Sequence, residues 1–106
     1  MTDLSMYRGD DRVLTITASE ALTGSQITFT ARRRPGGAIV ISKTTDAGIT
    51  IGEPATTAVI ALDAADTRDL DPCVLRWDIE VVDVTEKTHT VASGQLNIRA
   101  DITHPA

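Results

Sequence analysis

Two charged groups in this chain have the residue types and spacing for recognition chemistry. The first is Arg32-Arg33-Arg34, directly before Pro35-Gly36-Gly37. Guanidinium forks pair bidentately with carboxylates and phosphates, so three arginines at a strand end and turn can grip either one. The plain alternative is a solvated hairpin tip. The second group is Asp63, Asp66, Asp69 and Asp71. Clustered carboxylates can ligate calcium, but these lack the Asp-x-Asp-x-Asp-Gly spacing and the bidentate glutamate of a calcium loop. A capped, solvated turn is the better reading, and the seven residues together form the candidate partner contacts.

Catalytic constellations are missing from the pattern. A nucleophile elbow needs glycines two residues to either side of its serine, which Ala92-Ser93-Gly94 does not supply. His89 is near Ser93 in sequence but is expected on a solvated hairpin tip at Thr88 to Thr90, and His104 falls in the tail. Gly36-Gly37 is a turn without a following helix, so it is no phosphate loop. Arg8-Gly9-Asp10 spells the tripeptide read by integrins, yet a hairpin turn accounts for it. The single cysteine, Cys73, reads as a small buried apolar side chain and has no partners at zinc spacing. The expectation is a protein without catalytic, metal or cofactor site, hence not an enzyme.

Composition sets further bounds. The length suits one domain over residues 1–106, burying roughly two thirds of the surface its unfolded chain exposes. The net charge is -5, and residues 54–106 carry nine acids against four bases while residues 1–53 carry six of each. That sign opposes non-specific binding to nucleic acid or to an anionic membrane. Neither a signal peptide nor an apolar run of ~20 residues is read from the sequence, so cytosolic synthesis is expected.

The elements that must position these residues are short strands. Leu75, Trp77, Ile79 and Val81 alternate with Arg76, Asp78 and Glu80, the period-two pattern of a strand with one buried and one wet face. Ile27, Phe29 and Ala31 alternate in the same way with Thr28, Thr30 and Arg32. Further strands are predicted at Leu4 to Tyr7, Val13 to Thr17, Ile39 to Lys43, Ile49 to Ile51, Thr57 to Leu62 and Thr90 to Ile98. Turns are predicted at Arg8-Gly9-Asp10-Asp11, Leu22-Thr23-Gly24-Ser25, Pro35-Gly36-Gly37 and Asp46-Ala47-Gly48. Sixteen threonines, with many valines and isoleucines, favour pleated sheet through branching at Cβ. Asp63 to Leu70 departs from the rule: it opens on an N-cap residue and stops at Asp71-Pro72, which predicts a single helical turn. The fold class expected is all-β, an antiparallel immunoglobulin-like β-sandwich of about seven to nine short strands with one helical turn.

The ordered motifs bring a family into view. Tyr7 to Asp11, Leu22 to Arg32, Asp63 to Leu70, Leu75 to Val81, Val91 to Ile98 and Asp101-Ile102-Thr103 together resemble small β-sandwich domains of tailed-phage virions. The likeness is to the N-terminal domain of baseplate upper proteins, which attaches tail appendages to the particle core. No tyrosine-rich strand precedes Trp77-Asp78 as it does in that family, so receptor binding is not carried over. The resemblance implies a stand-alone structural accessory piece of the virion, at the tail, the connector or the capsid surface, made in the host cytoplasm. Its partners would be other phage structural proteins and copies of itself, with no nucleic acid, membrane or small-molecule substrate. The alternative is a carbohydrate- or receptor-binding module on the same sandwich. Such modules stack sugars on exposed aromatics, and of Tyr7, Phe29 and Trp77 the last two alternate inward.

Overall fold

A computed structural model describes residues 3–18, 21–34, 36–45, 47–52 and 56–100. Among these residues are eight strands and one helical turn: β1 (Leu4–Tyr7), β2 (Arg12–Thr17), β3 (Gln26–Arg32), β4 (Ile39–Thr45), β5 (Gly48–Ile51), β6 (Thr57–Leu62), α1 (Ala64–Thr67), β7 (Cys73–Val82) and β8 (Thr88–Arg99). The predicted strands are all found, with β2, β4, β5 and β8 each longer by one to three residues. The predicted turn at Asp46-Ala47-Gly48 and the tail motif Asp101-Ile102-Thr103 lie partly or wholly outside the described residues, as do Pro35 and His104.

The pairing is where structure and expectation differ. All eight strands belong to one ladder in the order β1-β8-β7-β3-β4-β5-β6-β2, curled nearly closed. It is mixed rather than purely antiparallel, because β1 pairs parallel with β8 and β4 pairs parallel with β5. The Arg8–Asp11 link is therefore not a hairpin. It joins the two free edges of the sheet, β1 and β2, whose ladder partners are β8 and β6. Gly9 takes a positive φ of 82°, and the Asp10 amide donates to the Tyr7 carbonyl, so the reversal is a tight turn that a side chain at that position would strain.

The concave face holds one core. Ile27, Phe29, Leu75, Ile79, Leu96 and Ile98 are fully buried, and Trp77 is 4% exposed. Phe29 and Trp77 sit diagonally across β3 and β7 with ring centroids 5.7 Å apart and planes 26° from parallel. That offset arrangement contributes about 0.5–1.5 kcal/mol beyond the area it buries. Cys73, expected to be fully buried, is only half-buried, because it starts β7 at the rim of the sheet.

One end of the curled sheet is covered by α1. Thr67 is fully buried there, and its Oγ1 accepts a 2.9 Å hydrogen bond from the Gly9 amide. Asp11 Oδ1 accepts from the Ala64 amide at 2.8 Å, and Arg8 Nη1 donates to the Leu70 carbonyl at 3.3 Å. The helical turn is thus satisfied by the edge-to-edge link, which fastens both free strands to it.

Candidate docking surface

Arg32 closes β3 beside a register shift between Ala31 and Arg32, and it stands directly opposite Arg76 of β7. Both guanidiniums belong to the outer face, since their neighbours Ala31, Leu75 and Trp77 face the core. Arg32 Nη1 donates to the Gly37 carbonyl across the β3–β4 connection. Arg33 and Arg34 are exposed in that connection, as expected for a turn, and the Gly37 amide donates to the Arg34 carbonyl at 3.0 Å. A shallow hollow of about 490 Å³ lies beside them, its lining including Thr30, Arg32, Arg76, Asp78 and Ser93.

The four aspartates do not act as one patch. Lys43 Nζ lies 2.9 Å from Asp66 Oδ2 and 3.6 Å from Asp63 Oδ2, and its side chain is only 12% exposed. Asp66 Oδ2 also accepts the Asp63 amide at 2.7 Å, which ties the start of α1 to β4 through the ammonium. Gly48 makes this reach possible: its φ is +106°, and an added Cβ would come within 2.6 Å of Lys43 Cδ. Asp69 and Asp71 remain exposed on the stretch between α1 and β7. Among the described residues, no three His, Cys, Asp or Glu side chains converge as metal ligands.

His89 is not on a hairpin tip. It is the second residue of β8, opposite Val81, and its Nε2 lies 3.1 Å from Asp83 Oδ2. The tip is Asp83 to Lys87, where Asp83 Oδ1 accepts from the Thr85 amide, the Thr85 hydroxyl and the Lys87 amide. These donors, the Thr85 hydroxyl foremost, pull the Asp83 carboxyl down from 3.8 to about 2. The cluster closes the β7–β8 turn.

No family model matches the chain, and no curated protein matches it.

Two residues of the candidate surface escaped sequence reasoning. Alternation places Arg76 on a wet face, but only the β3–β7 register puts it against Arg32. The parallel β4–β5 pairing, which brings Gly48 beside Lys43, likewise carries no local signature.

Proposed function

We propose that this chain is a structural accessory protein of a tailed-phage virion, acting by docking to a neighbouring particle protein. The observation that carries the reading is the pair of free edges. Among the described residues both β1 and β2 end the sheet, so one side of each strand offers backbone donors and acceptors without a ladder partner there. β2, with the sequence Arg-Val-Leu-Thr-Ile-Thr, has no charge after Arg12 and no proline. Its core-facing Leu14 and Ile16 are only half-buried, unlike Ile27, Phe29, Leu75 and Ile79 at the centre of the sheet. An extended segment of a partner added there would pair the backbone and cover these side chains. The ordered motifs shared with baseplate sandwich domains supply the virion context, with the finer immunoglobulin-like sandwich topology part of the same proposal. Sugar stacking has less support: Phe29 and Trp77 are buried, leaving Tyr7 as the exposed aromatic.

The test is composition. Particles of the encoding phage, banded to homogeneity, should yield peptides of this chain in fixed proportion to the major tail or capsid protein. Recovery of the chain only from the soluble lysate would refute the assignment.

A further inference from the structure

Arg32 and Arg76 occupy paired positions of an antiparallel ladder, where Cα atoms are about 4.5–5.5 Å apart and like charges destabilise the pair. Among the described residues no carboxylate lies within ion-pair distance of either guanidinium. Arg33 and Arg34 add charge at the same corner, and the Thr30 and Ser93 hydroxyls line the hollow beside it. This concentrates cations on a chain whose net charge is -5. Asp78 also lines the hollow, opposite Thr30 on β3 and Ser93 on β8. Its carboxylate repels multiply charged anions such as phosphate more than a single carboxylate held at the arginine rim.

Carboxylates suited to that rim exist on the molecule itself. Asp63 and Asp66 are engaged by Lys43, Asp11 by the Ala64 amide, and Asp83 by its own turn. Asp69 and Asp71 are exposed and make no ion pair among the described residues. Arg8 holds the Leu70 carbonyl between them, which fixes the segment. It enters β7 directly, so the acids and Arg76 belong to the same end of the sheet.

We propose that the Arg32–Arg76 corner receives the carboxylates of Asp69 and Asp71 from a second copy of this chain, in a reciprocal two-fold contact. Because donor and acceptor patches lie at one end, two copies meeting there make the contact twice, and the assembly closes as a dimer. The inference rests on the reading of this protein as one that works by docking, and it names a second partner for it.

Sedimentation equilibrium of the full chain over a concentration series tests the contact. The wild-type chain should dimerise, with a dissociation constant that rises steeply with salt. R32E/R76E should weaken the dimer at least about tenfold, as should D69R/D71R, because each places like charges face to face. An equimolar mixture of these two variants should associate again, since all four contacts then join opposite charges. R76E alone, which spares the Arg32 bond to Gly37, guards against a folding defect, and circular dichroism checks each variant. A wild-type chain that stays monomeric at low salt, or variants that dimerise unchanged, or a mixture that stays monomeric overturns the proposal. Binding of a monomeric chain to purified particles would leave the docking reading standing, whereas a dimer absent from particles would remove that reading and keep the contact.

Discussion

Trp77 combines the largest buried ring with an unmet polar group. Its indole Nε1 is buried and has no hydrogen-bond partner among the described residues. Truncation to alanine opens a cavity beneath β7 and should cost ~3–5 kcal/mol in chemical denaturation. Trp77→Phe should cost far less, about 1–2 kcal/mol, because the lost volume is offset by removal of an unsatisfied donor. An emission maximum typical of a water-exposed indole would contradict this packing. Asp83 gives a second residue-scale expectation. A carboxyl lowered to about 2 from 3.8 stabilises the folded turn above its ordinary value, and that contribution disappears as pH falls toward 2. Amide exchange at Thr85 and Lys87, taken relative to the intrinsic rate at each pH, should therefore quicken as pH falls between those values. Asp83→Asn should quicken it at neutral pH and leave little further acid dependence.

At the scale of elements, α1 is held less by its own four residues than by the link that crosses it. A turn this short has no helical stability of its own. Thr67→Val keeps the shape but leaves the part-buried Gly9 amide without this acceptor, which should cost about 1 kcal/mol, while Thr67→Ser should restore most of it. Equal stability of the two variants would show that the link is not held through this bond. These ties also mark how far the sequence was legible. Alternation in β3, β7 and β8, the turn residues, and the Asp63-to-Pro72 interruption are local signals, and the strands and helical turn follow from them. Strand partnership is not local. A period of two assigns faces without naming neighbours, so Arg8–Asp11 read as a hairpin although its flanking strands pair elsewhere. Both parallel pairings and the Arg32–Arg76 opposition were hidden for the same reason. The four aspartates looked alike because nothing in their spacing distinguishes those near Lys43 from those facing water.

For the whole molecule, a nearly closed sheet leaves a choice between closing on itself and recruiting a strand. β1 and β2 are joined by only four residues, Arg8 to Asp11, which α1 fastens in place, so the gap between the edges is a fixed feature of the fold. Natural sheets protect such edges with lysine, proline or bulges, and none of these interrupts β2 between Val13 and Thr17. Thr15 is exposed at the middle of the strand, opposite Val59 of β6. Thr15→Lys places a charge there and should change stability by no more than about 0.5 kcal/mol, as exposed substitutions away from caps and cores do. If a partner protein adds a strand at this edge, the lysine should reduce binding to purified particles at all salt concentrations. The Arg32–Arg76 contact, being electrostatic and at another part of the surface, should still respond to salt in the same variant. Undiminished binding of the lysine variant would remove β2 as the attachment strand and leave β1, whose four residues offer a shorter ladder, as the remaining edge.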